Sequence, residues 1–218
     1  MNRGVPEIVV VSLLIAAGAN CAIAQEAARP QSAPPSLASS DRPNARKIAN
    51  ALSAGPKYVT DHATVMDWPS PQEKEQKMRV LREGSNGWSC MPDQPGLPRH
   101  SPMCADQTTM KWMMAIMAGK KPNIDRVGVS YMLQGEAGSD IQDVTAKTPP
   151  PGKDWYYAGP HVMLVLPAGD KDALKDVGQD TSSGMPYVRA PNSISPLLVI
   201  PVAKSDEKII IRKADAPQ

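Results

Sequence analysis

The stretch RVLREGSNGWSCMPDQPGLPRHSPMCADQTTMKWMMAIMAGKKPN, residues 79–123, decides how this chain folds. Cys90 and Cys104 bracket thirteen residues, 91–103, and four of these are proline: Pro92, Pro95, Pro98 and Pro102. Proline fixes φ and offers no backbone donor, so the segment is expected to be a loop and not a helix or central strand. Ordering such a loop costs entropy, and a disulfide across it recovers about 3 kcal/mol. The competing use of the two thiolates is a metal or haem site with His100, Met91 or Met103. The spacing fits neither the CxxC of zinc sites nor the CxxCH of haem attachment, so an oxidised Cys90–Cys104 staple is expected.

Moving outward, residues 79–83 and 88–91 flank Gly84-Ser85-Asn86-Gly87. Asn-Gly favours a turn because both residues accept positive φ, which predicts a short β-hairpin delivering Cys90 to the loop. On the other side, Asp106 is a candidate N-cap, and Gly119 followed by Pro122 a candidate stop. Between them Met110, Met113, Met114 and Met117 fall at i, i+3, i+4 and i+7, one face of a helix. Lys120 and Lys121 suit its negative C-terminal end. A methionine face could ligate Cu(I) through thioethers. Core packing is the expected reading, because the chain has twelve methionines and no phenylalanine, and methionine is a flexible core filler.

The N-terminus reads as an export signal. Arg3 precedes the apolar run IVVVSLLIAAGA, residues 8–19, and Ala22-Ile23-Ala24 matches a small-x-small cleavage pattern. Gln25 is then the expected first residue of the mature chain. The run is too short to span a bilayer comfortably. Cys21 follows Gly18-Ala19-Asn20, which lacks the branched aliphatic residue and the small residue that a lipoprotein signal places before its cysteine. Cleavage after Ala24 predicts a periplasmic or secreted protein with no stable membrane anchor, in an oxidising environment that favours the disulfide.

Residues 25–40 are rich in Ala, Ser and Pro and read as a disordered spacer. Residues 41–53 read as a helix opened by Asp41 and stopped by Gly55-Pro56. Residues 63–68 are expected to be extended, and 72–77 a solvated turn or short helix. Val127, Val129, Tyr131 and Leu133 alternate with Gly128, Ser130 and Met132, the pattern of a half-buried strand. Residues 135–154 are a long polar loop. The apolar run 161–166 is expected to be a strand buried on both faces. Residues 170–177 form a short helix, 187–189 a strand edge, and 197–202 a strand whose Pro201 points to an edge or a bulge. Residues 204–218 are a charged tail. Strands without regular crossover helices predict an α+β domain over residues 41–203: a mostly antiparallel sheet with two or three helices packed on it.

The sequence holds little recognisable chemistry. The chain carries 24 basic and 22 acidic residues, interspersed, so no face for nucleic acid is expected. There is no GxSxG, HExxH, phosphate-cradling glycine loop or dinucleotide fingerprint. Ser205-Asp-Glu-Lys208 fits SxxK but stands in the tail without partner motifs. Asp140 and Asp143 miss the alternating carboxylates of a calcium loop. His62, His100 and His161 are far apart in sequence, and only the fold could assemble them into a zinc site. Trp155-Tyr156-Tyr157 follows the proline-rich loop and can serve either the core or a ligand groove.

The segments LREGSNGWSCMPD (81–93), SPMCAD (101–106), WMMAIMAGKKPNI (112–124), VGVSYMLQGEAGSD (127–140) and GPHVMLVLP (159–167) together resemble a family of exported bacterial proteins to which no activity is assigned. The resemblance spans roughly residues 48–202. It implies export and the Cys90–Cys104 framework, and brings no cofactor or catalytic residue.

The expectation is therefore a non-enzymatic binding or interaction module for an envelope or extracellular partner. Its expected surface is the disulfide loop with Trp88, His100, Trp155, Tyr156 and Tyr157. A copper or zinc protein using Met91, His100 and Met103 is the first alternative, and a hydrolase without a recognisable motif the second.

Overall fold

The structure, a computed structural model, describes residues 41–70, 72, 77–167, 170–193 and 195–202. The expected signal (1–24), spacer (25–40) and tail (204–218) lie outside these, as does most of the charged run 72–77. Helix α1 (Asp41–Leu52) and the single turn α2 (Lys57–Thr60) lead into β1 (Thr64–Asp67), β2 (Arg79–Arg82), β3 (Ser89–Met91) and β4 (Met103–Ala105). Helix α3 (Gln107–Met117), β5 (Gly128–Met132), β6 (Glu136–Gly138), β7 (Tyr156–Ala158) and β8 (His161–Val165) follow. A 3-10 turn (Asp170–Leu174), β9 (Tyr187–Arg189) and β10 (Leu197–Pro201) complete the series. Eight strands form one sheet in the order β2-β1-β3-β4-β5-β8-β10-β9, and β6 and β7 pair as a separate ribbon. Within the large sheet only β1 and β3 run parallel, so the fold is the expected mostly antiparallel α+β arrangement.

The register sorts side chains onto two faces, because directly paired residues project to the same side. One face carries Met91, Met103, Ala105, Met132, Met163, Val165, Leu197, Val199 and Tyr187. Helix α3 packs on it through Trp112 and Met113. The opposite face carries Val65, Cys90 and Cys104 under α1 and α2, where the small Ala51 of α1 and Ala54 of the following turn pack against them. Cys90 and Cys104 are direct partners on the neighbouring strands β3 and β4 and form the expected disulfide, with no solvent exposure.

Several local expectations change. Residues 79–82 and 89–91 are strands, but they do not pair as a hairpin, because β1 lies between them. The turn before β3 instead wraps the end of β1: Ser85 and Asn86 donate backbone N–H groups to the His62 carbonyl. A Cβ on Gly84 would collide with the backbone of Ala63 and Thr64.

Helix α3 is capped as predicted, with the Asp106 carboxylate accepting from Thr109 N at 2.7 Å and Val129 N at 2.9 Å. Its buried residues are Thr109, Trp112 and Met113, while Met114 and Met117 are exposed. The methionine stripe is thus turned partly outward. Trp112 carries more apolar surface and places its indole N–H on Ser195 Oγ at 2.7 Å.

In β5, Gly128, Ser130 and Met132 face the covered side and Val129 and Tyr131 do not. The reason is steric: a Cβ on Gly128 would lie 2.6 Å from Thr109 Oγ1 and from Val165 Cγ2. Only the small-residue face of β5 fits beneath α3.

The run 161–166 is not buried on both faces. His161, Met163 and Val165 are buried, and Val162 and Leu164 are partly exposed. Pro201 lies on an inner strand, at its end beyond the reach of β9, which pairs only with residues 197–199. The loop 135–154 contains β6, which sequence alone did not reveal.

Candidate binding surface

The disulfide loop is held in place by Asp93. Its carboxylate accepts from Ser101 N at 2.8 Å and Asn50 Nδ2 at 3.0 Å. Asn50 Oδ1 in turn accepts from Asp93 N at 2.7 Å. His100 Nδ1 sits 2.7 Å from the same carboxylate, and its side chain is three-quarters exposed. Arg99 lies over the Tyr157 ring, 4.9 Å from its centroid. The fold therefore brings the loop and the Trp155–Tyr157 segment together at Arg99. Trp88 goes elsewhere: its ring packs on Tyr131 at 5.5 Å, and the Tyr131 hydroxyl meets the Tyr58 hydroxyl at 3.2 Å. That hydrogen bond, aided by burial, raises the Tyr131 pKa. Tyr58 is 75% exposed.

Met91 and Met103 are cross-strand partners inside the core, 0% and 8% exposed, whereas His100 is on the surface. His62 is exposed and His161 buried. Among the described residues no three His, Cys, Asp or Glu side chains are grouped to hold a metal ion. No described helix is long and apolar enough to cross a membrane.

Tyr156 points inward, to a buried polar cluster absent from the sequence-based expectation. Arg189 Nη1 donates to Glu136 Oε1 at 2.6 Å, with both side chains nearly buried. The guanidinium also lies over the Tyr156 ring at 4.9 Å. His161 Nδ1 donates to the Gly159 carbonyl at 2.7 Å, and its Nε2 stands 3.7 Å from Glu136 Oε2 without a partner. Burial lowers the His161 pKa despite the nearby carboxylate, so the imidazole is neutral. Burial and then the Glu136 charge push Tyr156 well up, and the same two causes raise Tyr187. Burial alone would disfavour the charged form of Arg189, but Glu136, Tyr156 and Tyr187 together outweigh it and raise its pKa. The cluster joins β6 and β7 to β8 and β9. The sequence signal for it is thin: a histidine opening one apolar strand and an arginine inside another short one.

A row of partly exposed apolar residues lies on the face that carries α1. Helix α1 lies over β1–β4. Beyond it the same face continues through β5, β8 and β10 with Val129, Tyr131, Val162, Leu164, Leu198 and Ile200. All six are partly exposed. The five aliphatic residues belong to neither buried core cluster. Tyr131, Trp88 and Tyr58 form an aromatic border between them and the helix-covered half. No family model, curated protein or solved structure matches this chain.

Proposed function

We propose that this chain is an exported interaction module that binds an envelope or extracellular partner through the open half of its sheet. The observation carrying this reading is the row of five partly exposed aliphatic side chains on β5, β8 and β10, beyond the strands that α1 packs on. Strands that are apolar on both sides are normally covered on both sides. Contiguous apolar patches on soluble proteins mark interaction sites. The disulfide fits an oxidising compartment, and the N-terminal sequence and the resemblance to exported bacterial proteins agree with it. Trp88 borders this surface. His100 and Tyr157 stand at the disulfide loop, against Asp93 and Arg99 respectively.

Two measurements test the reading. The intact mass of protein recovered from outside the cytoplasm is expected to begin at Gln25 and to be two hydrogens lighter than the reduced form. A photo-cross-linking residue at Leu164 is expected to give a discrete adduct in cells, whereas the same residue at Asp125, 84% exposed, gives none. Absence of any adduct from Leu164 and from Leu198 would remove the interaction reading.

A further inference from the structure

We infer that the outward side of α3 is a thioether site for a soft monovalent cation of the Cu(I) or Ag(I) class, with Met114 and Met117 as its ligands and Met110 as a third donor. The observation that carries this is the phase of the helix. Trp112 and Met113 take the core side, and Met114 and Met117 stand 43% and 47% exposed. Burial accounts for Met113; it does not account for two neighbouring methionines in solvent. Met110, Met114 and Met117 fall at i, i+4 and i+7, one line along α3. Met110, at the N-terminal end of the line, is half-buried and packs against the core. Side chains at such spacings have Cβ atoms about 5–6 Å apart. Metal–sulfur bonds are about 2.3 Å long, so two sulfurs sharing one ion lie at most about 4.6 Å apart. An unbranched, freely rotating thioether covers that difference easily when its outer end is in solvent.

The donor set selects the ion. Thioethers are uncharged and soft, and among biological metals they favour Cu(I). Helix α3, QTTMKWMMAIM, contains no carboxylate, imidazole or thiol, so it offers little to Zn(II), Ca(II) or Mg(II). Cys90 and Cys104 are closed as a buried disulfide and do not compete for the ion. Met91, Met103, Met132 and Met163 belong to the core, which moves soft-metal chemistry away from the disulfide loop and onto α3. Lys111, Lys120 and Lys121 are exposed and solvated, and the carbonyl end of α3 at Met117 carries partial negative charge. Helix α3 and helix α1 pack on opposite faces of the sheet. This site and the interaction surface of β5, β8 and β10 therefore stand or fall separately.

The test is a titration of the oxidised mature chain with Ag(I) in nitrate buffer, and with Cu(I) under anaerobic conditions, followed through isotope-labelled methionine methyl resonances. One equivalent of either ion is expected to move the methyl resonances of Met114 and Met117, and that of Met110 with them. Met185, which is 66% exposed and outside α3, is the internal control and is expected to stay in place. Met114→Leu combined with Met117→Leu keeps apolar bulk at two solvent-facing positions and is expected to weaken binding roughly tenfold or more. Met185→Leu is expected to change it less than twofold. Zn(II) is expected to leave the three α3 resonances unmoved. Undiminished affinity in the double variant, shifts confined to other methionines, or Zn(II) binding at the same three residues would each overturn the site. Should the double variant fail to fold, Met117→Leu alone carries the test, with a loss of roughly threefold or more expected and an unchanged affinity overturning the proposal.

Discussion

Replacing Glu136 by Gln is the most informative perturbation of the fold. The substitution keeps the shape of the side chain and removes its charge. Arg189 then remains a buried cation, 8% exposed, with an amide oxygen where a carboxylate stood 2.6 Å away. Removing one partner of a buried pair costs about 3–5 kcal/mol, since the other charge is left uncompensated. The amide oxygen of the new side chain can still accept from the guanidinium, which places the expected loss near the lower figure, about 3 kcal/mol. For a domain of this size each kcal/mol lowers Tm by about 2–4 °C, so a fall of about 6–12 °C is expected by calorimetry. Replacing both partners, Glu136→Gln with Arg189→Met, removes the stranded charge and is expected to be less damaging than Glu136→Gln alone. The double-mutant cycle should then show a coupling of about 2 kcal/mol or more. Amide exchange in the β6–β7 ladder is expected to accelerate in the single variant, because the pair ties that ribbon to β9. A Tm within about 2 °C of the parent, or strictly additive single substitutions, would refute the argument that this ion pair holds the ribbon in place.

Three further outcomes follow from the geometry. Converting Cys90 and Cys104 together to alanine releases a loop closed over a sequence separation of 14 and is expected to cost about 3 kcal/mol; an unchanged denaturation midpoint would contradict it. Gly128→Ala places a Cβ 2.6 Å from Val165 Cγ2 and 2.7 Å from Thr109 N, and should destabilise by about 1–3 kcal/mol as α3 is forced outward, visible as a change in Trp112 fluorescence. His161 has a folded-state pKa below its ordinary 6.5, chiefly through burial. The folded state therefore binds fewer protons than the unfolded one, so this contribution is fully present above pH 6.5 and is lost as pH falls toward the depressed value. His161→Gln is expected to flatten that acid limb, and an unchanged limb would show that other groups set it.

Much of the framework was legible in residue order. The proline-dense loop between two cysteines could be little else than a stapled connection, and Asp106 and Gly119 marked α3 because capping is a local interaction. Strand positions at 64–67, 128–132, 161–165, 187–189 and 197–201 were readable from apolar runs, since β preference there is set by side chains along the strand itself. Pairing was less legible. The insertion of β1 between β2 and β3 joins residues far apart in sequence, and the Asn86-Gly87 turn, which locally favours a hairpin, serves that crossover instead. The phase of α3 was misread for a related reason: methionines and Trp112 both carry helical spacing, and packing volume against β5 selected Trp112 for burial.

Sequence by itself therefore determined the local elements, the disulfide pair and the α+β class, because each depends on a few neighbouring residues or on composition. Tertiary structure alone decided which side of β5, β8 and β10 is covered and assembled Glu136, His161, Arg189 and Tyr156 from four strands. A strand that is apolar on both sides has no pattern to say which side meets a helix. That choice fell to Gly128, which admits α3 on one side, and to the reach of α1, which ends short of the other half of the sheet.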